Sequence, residues 1–252
     1  MESKMESRIK DFWELQAEGY SELINVELND EFGDTWRKLL LSQAPEKDRL
    51  DVLDIGTGPG FFPIILGEAG HNVTGIDLTD NMLKYAKLNA ESQNVKAEFI
   101  RMNCQFLKFD EDSFDLIVCR NLTWTLEQPE ECYKEWRRVL RHGGVLLIFD
   151  ANWNHYQFYE DARKRHEKCD QMMLEKFGHH IHDHSKMEES EAISVKLPMG
   201  RYQRPEWDLQ TLLKIGFKKV FTDIDLTDDL PVKNEAVIVN LDTPSFMVGA
   251  VK

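Results

Sequence analysis

The fold of this chain is decided by the stretch Leu53-Asp54-Ile55-Gly56-Thr57-Gly58-Pro59-Gly60-Phe61-Phe62. An apolar run precedes it and a helical pattern follows it, so it is typical of a strand-to-helix connection. Alternate glycines let the main chain turn sharply and let a ligand approach the N–H groups at the helix start. Twenty-one residues after Gly56, Asp77 ends the next apolar run, where a carboxylate can accept both hydroxyls of a ribose. The spacing predicts a site for a nucleoside-containing ligand; the alternative is a tight turn followed by an aspartate that caps a helix.

Short apolar runs alternate with amphipathic stretches from residue 50 onward, the pattern of a parallel sheet built from βαβ units. The predicted strands are Leu50 to Ile55, Asn72 to Ile76, Ala97 to Arg101, Phe114 to Cys119, Val145 to Phe149, Phe217 to Asp225 and Ala236 to Leu241. The predicted helices are Phe62 to Ala69, Asn81 to Ser92, Pro129 to Leu140, which Gly143 and Gly144 end, and Asp208 to Ile215. The last two strands follow each other closely enough to be antiparallel.

Two segments fall outside this alternation. Residues 1–45 space their apolar side chains as two amphipathic helices would. Residues 151–207 follow the fifth strand, contain no convincing strand, and have a helical pattern as far as Phe177 with a loop beyond it. The sheet is therefore predicted from residues 46–150 and 208–252.

Composition limits the classes of function. The 252 residues are 42% hydrophobic and 30% charged, which is ordinary for a folded chain. The chain has 31 basic and 45 acidic residues, and its net charge of −14 disfavours binding to nucleic acid and to anionic membranes. No apolar run approaches the roughly 20 residues of a membrane helix, and the first residues lack a signal-peptide core. Four cysteines without a CxxC pair favour reduced thiols, so we expect a cytoplasmic protein.

The glycine loop also discriminates between nucleoside cofactors. A dinucleotide fingerprint needs a small sixth residue, and Phe61 at that position disfavours NAD. The order Asp54, Gly56, Gly58, Gly60 instead resembles the first motif of the class I S-adenosylmethionine-dependent methyltransferases. Three later stretches are similar to further motifs of that family in the correct order: GIDLTDNML (75–83), FDLIVCRN (114–121) and EWRRVLRHGGVLLIFD (135–150).

The resemblance implies an α/β fold, a three-layer Rossmann-like sandwich with a mostly parallel seven-stranded sheet whose last strand is antiparallel. Residues 1–45 would form a helical lid, and residues 151–207 a substrate cap inserted after the fifth strand. The implied activity is S-adenosylmethionine-dependent methylation of a small molecule at N, O or S, by a monomer or homodimer. An NAD(P)-linked oxidoreductase and a non-enzymatic cofactor-sensing or metal-binding protein remain as alternatives.

The resemblance also assigns the cofactor site. It places the ribose on Asp77 and an apolar adenine contact on Met82. Many members of the family carry an acidic residue facing the adenine amino group, and this chain has Asn103, whose carbonyl can accept the same hydrogen bond. The predicted cofactor-binding residues are Tyr20, Asp54, Gly56, Thr57, Gly58, Gly60, Asp77, Leu78, Met82, Asn103, Cys104 (through its backbone) and Asn121.

The acceptor side is predicted at the carboxyl ends of the strands and in the insertion, because open α/β sheets bind ligands at that edge. A sulfonium methyl group is already activated, so the protein mainly aligns the reactants and removes a proton where one must leave. The candidate general bases are His155 and Tyr156. The candidate substrate-binding residues are Trp124, Trp153, Arg201 and Arg204. Aromatic faces suit a cationic ligand and guanidinium groups suit a carboxylate; packing and salt bridges are the alternatives.

A histidine-rich segment, residues 178–184, follows Phe177. In an extended chain His180, His182 and His184 would project to one side, a spacing able to gather imidazoles around zinc, nickel or copper. No distant fourth ligand is identifiable, and solvated loops also carry such clusters. We expect a polar loop without a metal.

Overall fold

A seven-stranded sheet forms the centre of the computed structural model, which describes residues 3–29, 31–181, 184–227, 229–230 and 235–252. The strands are β1 Asp51–Ile55, β2 Asn72–Asp77, β3 Glu98–Arg101, β4 Phe114–Arg120, β5 Leu140–Ala151, β6 Lys219–Asp223 and β7 Ser245–Val251. Their order across the sheet is β3-β2-β1-β4-β5-β7-β6. Strands β1 to β5 are parallel, and β7 is antiparallel to both β5 and β6. The predicted sheet with its antiparallel last strand is confirmed.

Helices cover both faces of the sheet and complete the three layers. They are α1 Lys4–Leu28, α2 Phe32–Gln43, α3 Phe61–Glu68, α4 Asp80–Ser92, α5 Pro129–Val139, α6 Glu160–Phe177, α7 His184–Ser194, α8 Glu206–Ile215 and α9 Glu235–Asp242. The central strand β4 is buried on both sides: Ile117 and Cys119 pack with Trp136 of α5, whereas Leu116 and Val118 pack with Trp36 of α2. This explains why residues 116–119 of the strand are continuously apolar rather than alternating.

The predicted position of the last strand is wrong. The run Ala236 to Leu241 lies within α9, and β7 follows it at Ser245–Val251. Periodicity cannot separate a short buried strand from a buried helix when nearly every position is apolar. Helix α9 packs Ile238 against Cys169 and Met173 of α6, a contact that only the tertiary structure provides.

A glycine marks β7. A Cβ at Gly249 would lie 2.1 Å from the ring of Phe221 on β6, so the absent side chain makes room for the aromatic ring across the antiparallel pair. The prediction that Gly143 and Gly144 end a helix is wrong. Both glycines lie inside β5, and α5 already ends at Val139. The register between β4 and β5 shifts beside them.

The segments outside the sheet differ in content. Helices α1 and α2 confirm the predicted amphipathic pair. The insertion carries α6 as predicted, but the expected loop beyond Phe177 also contains α7. Beyond Ala151, the described part of the insertion contains no strand. No helix within the described ranges is long and apolar enough to span a bilayer.

Candidate active site

One pocket lies at the carboxyl ends of β1, β2 and β4, and helix α1 forms its roof. It encloses about 1170 Å³ of empty space, including the part open to solvent, which is the scale of a small-molecule site. Predicted residues that line it are Tyr20, Asp54, Gly56, Thr57, Gly58, Asp77, Leu78, Met82, Asn103, Cys104 and Asn121. Gly60 does not line it.

The glycine loop is shaped by close packing. Gly56 has φ +70°, and a Cβ there would lie 2.8 Å from the side chain of Leu122. Gly60 has φ +91° and lies against Ala86 of α4, with 3.1 Å from its Cβ position to the Ala86 Cβ. Gly60 therefore lets α4 approach the loop. Both glycines adopt the left-handed conformation, which a side chain disfavours.

The N–H groups of the loop are already bonded within the protein. Gly56 and Thr57 each donate to the carbonyl of Ile76 at 2.9 Å, and Gly58 donates to Asp77 at 2.9 Å. These three N–H groups therefore anchor the loop to β2, whereas the predicted ligand contact with the N–H groups at the start of α3 stays a prediction.

Asp77 is held in place by three donors. Its Oδ1 accepts hydrogen bonds from the Thr79 N–H at 2.9 Å and the Thr79 hydroxyl at 2.5 Å, and its Oδ2 accepts from Gly58. Burial raises the pKa of Asp77, and these hydrogen bonds oppose the rise. The predicted acceptance of the ribose hydroxyls by this carboxylate stays a prediction.

The predicted adenine side of the site is joined to α1, which forms the roof of the pocket. The Asn103 amide Nδ2 donates to the Glu6 carboxylate of α1, and the Asn103 Oδ1 accepts from the Gln105 N–H at 2.8 Å. The carbonyl of Cys104 accepts from the Trp136 indole at 2.9 Å, so the predicted backbone contact of Cys104 stays a prediction for its N–H group.

Helix α1 contributes residues that the sequence prediction missed, with the exception of Tyr20. The pocket-lining residues of this helix are Glu6, Ile9, Lys10, Trp13, Tyr20 and Ile24. They follow helical spacing, but the stripe mixes charged and apolar side chains, so its hydrophobic pattern did not distinguish it. The Glu14 carboxylate accepts hydrogen bonds from the Asp80 and Asn81 N–H groups, each at 2.9 Å, and thus fastens α1 to the start of α4.

A pair of opposite charges lies at the β1 and β4 side of the pocket. Burial raises the pKa of Asp54 to about 7, although the charge of Arg120 opposes the rise. The Nη2 atom of Arg120 lies 2.7 Å from Glu27 Oε2, and its guanidinium carbon lies 4.5 Å from the centre of the Phe61 ring. Burial lowers the pKa of Arg120, but Glu27 and Tyr20 more than offset it, and the net shift is upward. Arg120 was not predicted.

Trp124 and Trp153, the two tryptophans predicted to bind substrate, lie beside the pocket and do not line it. Trp124 contacts Trp13 of the roof, with ring centres 6.3 Å apart, and donates to the Asn121 carbonyl at 3.1 Å. Trp153 donates to Asp150 at 2.8 Å and lines a second cavity, which shares Arg120 and Asn121 with the main pocket.

The predicted substrate contacts of the two arginines are corrected. Arg204 is buried, with its guanidinium 2.8 Å from Asp208, 3.1 Å from Asp150 and 2.7 Å from the Thr123 hydroxyl. These partners occupy the guanidinium that a substrate carboxylate would need. Arg201 is exposed and donates to the Val195 carbonyl at 3.2 Å, away from the pocket.

The two candidate general bases are also engaged elsewhere. His155 is buried with its Nε2 2.9 Å from the Tyr202 carbonyl oxygen, and burial lowers its pKa. Tyr156 stacks on His166 and donates to Glu191 at 2.9 Å; burial raises its pKa to about 12. Neither lines the pocket. Their assignment as bases is corrected, because the insertion packs them against its own residues.

Part of the histidine-rich segment can be placed. His179 lies 3.2 Å from Glu235, and His180 lies 2.7 Å from Asp170. His182 and Asp183 lie outside the described residues, as does the side chain of His184. In the described part of the chain, no three His, Cys, Asp or Glu side chains are grouped to hold a metal ion.

Comparison with known proteins agrees with this geometry. Residues 53–148 match the family described as a methyltransferase domain. The putative methyltransferase GWCH70_2453 of Geobacillus sp. (strain WCH70) is 33% identical over 132 residues, which are 50% of this chain and 53% of the relative. The ubiquinone biosynthesis O-methyltransferase of Coxiella burnetii (strain Dugway 5J108-111) is 30% identical over 103 residues, 41% of this chain and 44% of the relative. The chain thus spans about half the length of these curated relatives.

A solved structure extends the likeness to nearly the whole fold. The putative S-adenosylmethionine-dependent methyltransferase mmp1179 of Methanococcus maripaludis superposes with a TM-score of 0.62 at 16% identity, covering 96% of this chain and 94% of that one. At this identity the likeness concerns the fold. Together the two comparisons show that residues 53–148 are similar to a methyltransferase domain and that nearly the whole chain shares its fold with this solved structure.

Proposed function

We propose that this protein transfers the methyl group of S-adenosylmethionine to a small-molecule acceptor at N, O or S. The observation that carries the proposal is the single pocket that gathers the glycine loop, Asp77, Met82 and Asn103 under α1. The loop, Asp77 and Asn103 come from the ends of three neighbouring strands, and Met82 comes from α4. Together they suit an adenosine: a carboxylate for the ribose, and an apolar side chain and an amide for the base. When bound, the cofactor supplies an activated methyl group.

The residues of the chain then have to bind, orient and exclude water. Because α1 roofs the pocket, an acceptor must fit beneath it, which favours a small molecule over a nucleic acid; the net charge of −14 favours the same conclusion. No histidine lines the pocket among the residues described. We therefore propose that alignment of the acceptor contributes more than a dedicated histidine base.

We also retain the division into a lid (residues 1–45), a sheet domain (46–150 and 208–252) and a cap (151–207). The pocket-lining face of α1 supports the lid. The role of the cap in choosing the acceptor is tested by Trp153→Ala, since Trp153 lines the adjoining cavity. We expect S-adenosylhomocysteine affinity to stay within about threefold and kcat/KM to fall by about tenfold or more. Unchanged kcat/KM contradicts this role.

Calorimetry and isotope transfer test the main proposal. We expect S-adenosylhomocysteine to bind and NAD⁺ not to bind, and methyl-labelled S-adenosylmethionine to label a compound in a metabolite mixture. Binding of NAD⁺ in place of S-adenosylhomocysteine supports an oxidoreductase instead. Cofactor binding with no label transferred to any fraction, including protein and RNA, supports a cofactor sensor. The composition-based proposal of a cytoplasmic location is tested by cell fractionation, and the monomer or homodimer that the resemblance implies is tested by light scattering.

A further inference from the structure

We propose that Arg120 binds the carboxylate of the methionine half of the cofactor, an inference that rests on the proposed function. The strand order of the sheet indicates the direction in which the cofactor would extend across the pocket. Asn103 follows β3, Asp77 ends β2, the glycine loop follows β1, and Arg120 ends β4, and these four strands are adjacent in this order. Neighbouring strands lie about 4.8 Å apart. With the adenine at Asn103 and the ribose at Asp77, the remainder of the cofactor extends across the glycine loop toward β4.

The charges of the pocket favour Arg120 for this role. Two cationic side chains line the pocket among the described residues, Lys10 and Arg120. Lys10 lies one helical turn from Glu6, which is bonded to Asn103, so it belongs to the adenine end. Arg120 interacts electrostatically with Asp54 and Tyr20 at the other end. The zwitterionic end of the cofactor, an ammonium and a carboxylate, matches the opposite charges of Asp54 and Arg120.

The guanidinium of Arg120 also has donors to spare. It carries five N–H donors, and within the described residues its hydrogen-bond acceptor is Glu27, through Nη2 at 2.7 Å. The ring of Phe61 covers one face of the guanidinium, so the N–H groups along its edge remain for a ligand. Edge-on binding of a carboxylate by two parallel N–H···O bonds is the preferred geometry of arginine.

The competing role for Arg120 is structural, because its ion pair with Glu27 joins α1 to the end of β4. The two roles differ in what they predict for ligands. A carboxylate site makes the loss depend on the ligand, whereas a structural ion pair makes the loss the same for every ligand and similar for either partner of the pair.

Two ligands that differ only in the carboxylate separate these roles: S-adenosylmethionine and decarboxylated S-adenosylmethionine. Calorimetry should show that the wild-type protein prefers the carboxylated ligand by about tenfold or more. In Arg120→Met this preference should fall to about twofold or less, because the affinity for S-adenosylmethionine falls while the affinity for the decarboxylated ligand stays the same. Glu27→Gln, which breaks the same ion pair but keeps the guanidinium, should retain the preference.

Three outcomes overturn the inference: an equal loss of both ligands in Arg120→Met, a preference in that variant equal to wild type, or a wild-type protein without preference. If Arg120→Met does not fold, Arg120→Lys decides, since a point charge without the planar fork should reduce the preference and leave the affinity for the decarboxylated ligand unchanged. Failure of both ligands to bind the wild-type protein contradicts the proposed function itself.

Discussion

The main-chain N–H of Gly58 donates a hydrogen bond of 2.9 Å to the Oδ2 atom of Asp77, across nineteen positions of sequence. The same carboxylate accepts two hydrogen bonds from Thr79, ahead of α4. Asp77 therefore organises both the glycine loop and the approach to the next helix. The two sequence features that predicted a nucleoside site are thus one hydrogen-bonded unit.

Replacing Asp77 with Asn should weaken binding of S-adenosylhomocysteine by about 10- to 150-fold. The substitution removes a charged acceptor, and a hydrogen bond to a charged group contributes roughly 1.5–3 kcal/mol. Isothermal titration calorimetry measures the change. Asp51→Asn, at the opposite end of β1, is the control and should bind as wild type does. Wild-type affinity in a folded Asp77→Asn variant removes Asp77 from the site.

Replacing Asp54 with Asn should stabilise the ligand-free protein more at pH 8 than at pH 5. The pKa of Asp54 is about 7 in the folded protein and 3.8 in the reference state. The folded protein therefore holds the Asp54 proton more tightly than the unfolded chain does. The resulting contribution to the free energy of unfolding is present at low pH and is lost as the pH rises through about 7. The gain in Tm at pH 8 should exceed the gain at pH 5 by about 4 °C or more, given roughly 2–4 °C per kcal/mol at this size.

Scanning calorimetry at both pH values measures this difference. Asp48→Asn, an exposed carboxylate before β1, serves as the control and should give equal, small changes. A gain at Asp54 that does not depend on pH is incompatible with a buried carboxylate that titrates near neutrality.

Replacing Glu14 with Ala should weaken the attachment of α1 to the start of α4. Its carboxylate accepts hydrogen bonds from two N–H groups at the start of α4, and loss of such a cap costs about 0.5–2 kcal/mol. Denaturant unfolding should record this cost, and stopped-flow measurements should show faster dissociation of S-adenosylhomocysteine. Glu18→Ala, one turn further along α1 and exposed, is the control. Identical behaviour of the two variants means that Glu14 does not fasten the roof.

Replacing Arg204 with Ala should destabilise the protein by about 3–5 kcal/mol, because it leaves Asp150 and Asp208 buried without their cation. Urea denaturation measures the free energy of unfolding. Arg201→Ala nearby, whose side chain is exposed, should change stability by no more than about 0.5 kcal/mol. A change in stability at Arg204 as small as that at Arg201 contradicts the expected cost of leaving two buried aspartates without their cation.

The limits of the sequence-based prediction have physical causes. The strands up to β5 were predicted because strands buried on both faces carry apolar runs, as β4 does from Leu116 to Cys119. The same criterion mistook Ala236 to Leu241 for a strand, because a short apolar run is also compatible with a buried helix. His155 was predicted as a site residue from its place after β5, and Arg204 from its guanidinium group. The structure instead bonds His155 to the Tyr202 carbonyl and Arg204 to buried residues of the sheet domain, which are contacts that the local sequence pattern does not reveal.

The sequence by itself predicted the mostly parallel sheet, the glycine loop and most of the residues from the strand ends that line the pocket. A glycine loop, an acid at the end of the next strand and their spacing act locally, through main-chain conformation and strand ends, so they are readable in order along the chain. Only the tertiary structure decided which residues complete the pocket. Arg120, Glu6 and Trp13 reach it through the packing of α1 over β4 and the loop after β3. Contacts between residues about 90 positions apart in sequence leave no periodic signal, because they depend on how helices and strands pack rather than on the local pattern.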